Sequence, residues 1–209
     1  VYSKEDLGVI LEGVFLDLAS ISIDAGAQSS AAAQILMDLW ADKSIANDAA
    51  LGAFNADPLA ALASTGTLPS SIEDALKDLA TLANKTATSY PNVTAVKVDT
   101  SAYYGAGATE TQDLSIALAT GVCYLRAMID QGMSIDSAAK QIVFSFANSA
   151  EVFPAIAKLR AARLLWAQVI KACGGSDESQ AMTIHAITSE RALSKRDPWV
   201  NMLRTTATC

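Results

Sequence analysis

Residues 184–204, IHAITSERALSKRDPWVNMLR, hold the single histidine of the chain, His185, just ahead of Thr188, Ser189 and Glu190. An imidazole beside hydroxyl and carboxylate groups could serve as a general acid or base, because its ordinary pKa lies near neutrality. A second set of reactive groups is Asp17, Asp24, Asp57 and Asp99, each near the end of an expected strand, where a barrel concentrates function. Without a second matched group, each of these carboxylates reads as a helix cap or a loop hydrogen bond. Arg160 and Arg163 fall on a helix whose expected apolar face is Ile156, Leu159 and Trp166, which turns them to solvent or to another subunit. Trp40, Trp166 and Trp199 read as core or interface anchors.

The elements that must position these groups alternate along the chain. A helix is expected from a capping serine, over residues 3–12, followed by a β-branched strand at 19–24 and a helix at 29–42. Strands at 50–54, 93–98, 142–146 and 182–187 are separated by helices at 69–89, 109–131 and 151–172. In the helix at 109–131 the apolar face reads as Leu114, Leu118, Val122 and Leu125. Gly105 and Gly107 read as a loop, and Asp197-Pro198 opens a last helix that runs to Cys209. Strands that alternate with helices at about 40 residues per unit require parallel crossovers. The expected class is therefore α/β, either doubly wound or a barrel.

No G-x-G-x-x-G or G-x-x-x-x-G-K-[ST] follows any of these strands, which weighs against a nucleotide-binding sheet. A complete (β/α)8 barrel takes about 250 residues. Five units already fill these 209 residues, so the expectation is an incomplete TIM-type barrel, all of it part of one domain, 1–209.

Composition narrows the partners. The chain is 51% hydrophobic and 18% charged, the balance of a chain that builds a core. Its net charge is -7 with the basic residues scattered, so a nucleic-acid partner is not expected. No apolar run reaches the roughly 18 residues of a membrane span, and no membrane partner is expected. Cys123, Cys173 and Cys209 are odd in number and widely spaced, which predicts free thiols and a cytoplasmic location. Asn84-Lys-Thr and Asn92-Val-Thr match the short glycosylation pattern, with nothing else in the sequence to support secretion.

Three dense segments carry a family resemblance: IAKLRAARLLW at 156–166, DPWVNMLRTT at 197–206 and LSIALATGVCYLRA at 114–127. The chain resembles the barrel domain of the adenosylcobalamin-dependent methylmalonyl-CoA mutases, and the likeness carries back through Asn55-Ala-Asp-Pro-Leu and EDLGVILEGVFLD. What that resemblance implies is a radical interconversion of methylmalonyl-CoA and succinyl-CoA. In such chemistry the protein holds the substrate carboxylate, polarises the thioester and excludes side reactions.

The catalytic chains of the family carry T-I-Q-N-D, whose glutamine falls on Asn55, and ten residues later an arginine whose place is taken by Thr65. A threonine lacks the two-donor fork that grips a carboxylate at both oxygens. The family's S-G-Y-H-M-Q-E-A-G loop aligns with TSAYYGAGA, so its tyrosine becomes Ser101 and its histidine Ala102, with Tyr103 and Tyr104 off the motif. A further arginine becomes Gln141, and the glutamine of H-C-Q-T-S-G becomes Ile187, while His185 is the one position of the set retained.

These replacements are most similar to the small, non-catalytic subunits of heterodimeric mutases. The resemblance implies a chain that supports a catalytic large subunit, with adenosylcobalamin bound by that subunit. The family's D-x-H-x-x-G cobalt-ligand motif does not occur here, so neither a cobalamin-binding domain nor a cofactor, metal or substrate site is expected on this chain. The alternative is the barrel of a catalytic mutase for a different acyl-CoA, which Thr65 would suit and Ala102 would not. A plain α/β binding module is the third reading.

Overall fold

The computed structural model describes residues 2–208, so Cys209, expected as a third thiol, lies outside the described residues. Among the described residues five short strands form, β1 Ile21–Ser22, β2 Gly52–Ala56, β3 Val93–Asp99, β4 Ile142–Asn148 and β5 Thr183–Thr188, with β-branched and aromatic residues clustered in β3, β4 and β5. Each pairs in parallel with the next, in the order β1-β2-β3-β4-β5. A doubly wound sheet reverses its order at a switch point. This sheet never does, so successive right-handed crossovers lay the helices on one face and the sheet curls into an incomplete (β/α) barrel of five units.

The helices start where their caps allow. α1 Lys4–Ile10 is capped by Ser3, and α2 Ser29–Asp42 follows a 3-10 turn at Gly26–Gln28. α3 Pro58–Thr65 is capped by Asp57 and closed by Gly66 in the left-handed conformation. α4 Ile72–Ser89 begins at Ile72 rather than at residue 69, because the Ser71 hydroxyl accepts the Asp74 N–H and fixes the first turn there. The short α5 Ser101–Gly105 is followed by α6 Glu110–Asp130, which starts with a capping box between Thr109 and Gln112. Then come α7 Ile135–Lys140, α8 Val152–Ala172 and α9 Val200–Thr208.

Several expectations need correction. The segments that form α3 and α7 were not expected to be helical, and Gly105 closes α5 instead of lying in a loop. Strand β1 is two residues long, against the six expected, and β2 begins two residues later than expected. On α6 the buried stripe is Asp113, Ala117, Gly121, Tyr124, Leu125 and Met128; of the expected face only Leu125 is fully buried. The small residues of that stripe let the helix lie close to the sheet, and the bulkier Leu114, Leu118 and Val122 flank the contact. On α8 the stripe is Ala155, Lys158, Ala162, Trp166 and Ile170, so Ile156 is half exposed. Trp40 and Trp166 take the core half of the expected core-or-interface role, and Trp199 is 76% exposed.

The core lies between the helices and the sheet. Trp166 meets the Phe144 ring edge-on at 4.7 Å, and both reach Gly121, where a Cβ would come within 2.8 Å of Phe144 Cζ. Trp40 packs against Phe54 and Tyr90 at the other end. Rows of small and aromatic side chains thus clamp α6 and α8 onto β4 and hold the strand ends in register.

Candidate functional site

The carboxyl ends of β1, β2 and β3 enclose a cleft of about 220 Å3 whose lining includes Asp24, Asn55, Asp57, Thr65, Lys97, Asp99, Ser101 and Ala102. Four of the six replaced family positions are thus brought together at the barrel mouth, where this architecture places function.

Each polar group there already has a partner. Asn55 sits at φ 51°, an uncommon left-handed conformation for a non-glycine residue, and its amide donates to Ser22 Oγ and Ile23 O, both at 2.8 Å. The bulge between Ala53 and Ala56 in the β2–β3 pairing accompanies this turn of the chain. Thr65 Oγ1 donates back to Ala61 O and Thr67 O at the end of α3, pointing its hydroxyl into its own helix terminus.

Lys97 faces the concave side of the sheet and forms ion pairs with Asp24 at 2.5 Å and Asp99 at 3.0 Å. Burial favours the neutral amine, but the hydrogen bond to Asp24 and the Asp99 charge outweigh it and raise the Lys97 pKa above its ordinary value. Burial likewise pushes the Asp99 carboxyl up, yet the hydrogen bonds from the Ser101 hydroxyl and N–H, with the Lys97 charge, hold it below the usual carboxylate range. Lys97, the one cation among the described residues that line the cleft, is therefore neutralised internally.

Asp57 lies beneath, 4% exposed, and accepts the Ala60 N–H at 3.0 Å, the Asp99 N–H at 2.6 Å and the Tyr124 hydroxyl at 2.5 Å. Burial pushes its carboxyl up to about 6, against the pull of those donors. Burial and the Asp57 charge push the Tyr124 phenol up as well, so it stays a donor. This carboxylate ties β2, α3, β3 and α6 together, as its expected role of cap requires, and what it adds to the cleft is negative charge.

The other predicted positions lie elsewhere. His185 pairs with Ser145, which pairs with Asp99, so the three form one row across β3, β4 and β5. At about 4.8 Å per strand, His185 stands on the order of 10 Å from Asp99, beyond hydrogen-bond reach. Ile187 pairs with Ala147 on the same strand. Gln141 is at the opposite end of the sheet, buried, with Oε1 accepting the Ala95 N–H at 3.0 Å. It completes the ladder where β3 and β4 begin.

Two features escaped the sequence reading. Lys97 carried a signal, a charged residue two positions before Asp99 in an apolar strand, so that both face one side. Lys158, on the buried stripe of α8, contacts Asp113 at 2.8 Å, Glu110 at 2.6 Å and Ala147 O at 2.8 Å, and stands 4.6 Å from the centre of the Tyr104 ring. Arg191 covers that ring at 4.9 Å and donates to the Tyr104 and Ala108 carbonyls, tying the segment after β5 to the segment after β3. Among the described residues no group of three His, Cys, Asp or Glu side chains is placed to hold a metal ion, and no helix is long and apolar enough to cross a membrane.

Comparison with known proteins adds the family context. The sequence model of the methylmalonyl-CoA mutase family matches residues 1–209. The chain is 44% identical to a methylmalonyl-CoA mutase small subunit of Streptomyces virginiae over 199 residues, 95% of this chain and 32% of that protein. It is 34% identical to the small subunit of Propionibacterium freudenreichii subsp. shermanii over 204 residues, 97% of this chain and 31% of that one. Against a large subunit of Porphyromonas gingivalis it is 28% identical over 206 residues, 98% of this chain and 29% of the other. The chain spans about a third of the length of these relatives.

Proposed function

Because the chain belongs to the methylmalonyl-CoA mutase family, we propose that it is part of a small subunit that supports a catalytic large subunit and does not itself turn over substrate. The observation that carries this reading is the closed hydrogen-bond and ion-pair inventory of the cleft. A substrate carboxylate needs a free fork of donors. Lys97 is held by two carboxylates, the Asn55 amide is committed to β1, and Thr65 is bonded to its own helix end. Ala102 offers no donor to a thioester carbonyl, and three carboxylates repel a further anion.

Adenosylcobalamin, which would supply the radical in the holoenzyme, does not fit the cleft. Its 220 Å3 is below the roughly 300–1,000 Å3 of pockets for drug-sized ligands, and a corrinoid is larger still. His185 lies within a strand, in register with Ser145. We therefore assign the cofactor to the large subunit, in a cytoplasmic heterodimer that interconverts methylmalonyl-CoA and succinyl-CoA.

The test is an isomerase assay with adenosylcobalamin on the full-length small subunit, alone and with its large subunit, using methylmalonyl-CoA and a neutral acyl-CoA. Activity only in the mixture, and only on methylmalonyl-CoA, is expected. Turnover of either substrate by the small subunit alone overturns the proposal, and turnover of the neutral one would establish a mutase of altered specificity.

A further inference from the structure

Asn148, the last residue of β4, is fully buried, and neither its amide nitrogen nor its amide oxygen has a hydrogen-bond partner. Burying both groups unpaired is costly, and native folds rarely tolerate it. Side chains alternate along β4, so Asn148 shares the face of Phe144 and Phe146, the side on which Trp166 of α8 packs. The carbonyl just before it, Ala147 O, accepts from Lys158 Nζ at 2.8 Å, and Lys158 Nζ holds Asp113 Oδ2 at 2.8 Å as well. The Asn148 amide therefore borders the buried cluster of Lys158, Asp113 and Glu110. In that cluster a third atom, Asp113 Oδ1, is also buried without a partner. The neighbouring Thr100 hydroxyl gives its proton to Ser145 O instead.

We propose that this corner of the fold binds ordered internal water, which bridges the Asn148 amide to Asp113 Oδ1. The open atoms define what fits: two acceptors, Asn148 Oδ1 and Asp113 Oδ1, and one donor group, Asn148 Nδ2. An anion would face the Asp113 and Glu110 carboxylates, and a cation would face the Lys158 ammonium. Water is neutral, donates twice and accepts twice, so it can give a proton to Asp113 Oδ1 and pair with either end of the amide. Lys158 already joins α8 to β4 and α6, and the water adds a second link from the end of β4 to α6. The site is independent of the mutase reading: it uses neither Lys97 nor the carboxylates of the cleft.

The test is a crystal structure of the full-length protein at a resolution that shows ordered water, from crystals soaked in rubidium bromide so that a bound ion would reveal itself by anomalous scattering. Expected is a density peak within about 3.2 Å of both the Asn148 amide and Asp113 Oδ1, without anomalous signal. The same measurement on two variants assigns the ligands. Asn148→Val, which suits a strand and removes the amide, should lose the peak. Asn148→Ser, which keeps a donor and an acceptor, should retain it. An anomalous peak at the site, no peak beside Asn148, or a protein group such as the Thr100 hydroxyl in its place overturns the proposal. So does a peak that Asn148→Val leaves unchanged, and the parent structure decides the matter by itself where a variant does not fold.

Discussion

Replacing Lys158 with Met should expose how far the barrel depends on one buried charge. Lys158 is 3% exposed and Asp113 is fully buried, 2.8 Å away, with its second oxygen already lacking a hydrogen-bond partner. Methionine fills nearly the same volume, so the cavity contribution is small and the loss is electrostatic. Stranding one partner of a buried pair costs about 3–5 kcal/mol. Glu110 is a quarter exposed and keeps the Tyr104 hydroxyl on one oxygen, but the oxygen that Lys158 holds is buried, so the lower end, about 3 kcal/mol, is a floor. At about 2–4 °C per kcal/mol for a domain of this size, the midpoint should fall by roughly 6–12 °C or more in a thermal melt.

The pH dependence sharpens the test. Burial already raises the Asp113 carboxyl above its ordinary value while Lys158 is present, and without that cation it rises further. A raised folded-state carboxyl pKa favours the folded state once the group is protonated. The deficit of Lys158→Met should therefore be full at neutral pH and shrink as pH falls through the raised Asp113 value. Converting Asp113 to Leu in the same chain should recover most of the loss, because an apolar pair of similar volume often matches a buried ion pair. A single variant that costs under about 1 kcal/mol, or a deficit that grows as the solution is acidified, would refute the reasoning.

Other predictions rest on independent features. Gly121→Ala gains helix propensity of about 1 kcal/mol but drives a methyl into Phe144 and Trp166, where overpacking costs about 1–3 kcal/mol, so denaturant melts should show no gain in stability. For Asp57, a folded-state value near 6 against an unfolded 3.8 means stability present below pH 4 and lost as pH rises to about 6, by up to about 3 kcal/mol; Asp57→Asn should flatten that part of the stability curve. Among the described residues the outer edges of β1 and β5 have no partner strand, and Phe15, Leu18, Trp199 and Leu203 are each over 70% exposed. The isolated 209-residue chain should therefore associate in analytical ultracentrifugation, and a sharp monomer boundary would count against this.

The sequence made the architecture readable because strand and helix signals recur at a steady interval and the caps are explicit. What stayed hidden depends on contacts across the chain. The eight residues of α3 have a clear start in Asp57-Pro58 and a stop in Gly66, yet they are too short for a periodic apolar stripe and merge with the loop around them. Burial on α6 and α8 went to Ala117, Gly121, Ala155 and Ala162, because a helix laid against a curled sheet packs its small residues nearest the strands. The cleft was half legible. Alignment with family motifs placed Asn55, Thr65, Ser101 and Ala102 together, but Lys97 meets Asp24 only because β1 and β3 flank β2. Gln141 shows the opposite case: its motif pointed to the site, and the fold sends it to the far end of the sheet.

The unbroken strand order also bears on how the molecule is made. Each strand from β3 onward docks beside one synthesised about 40–50 residues earlier, so every pairing closes a loop of nearly the same size and entropy cost. Among the described strands no pairing joins two that are distant in sequence. A chain emerging from the ribosome can lay down one β/α unit after another, each resting on the last. Until a neighbour covers it, the newest strand always presents a bare edge, and β5 holds that position in this fold.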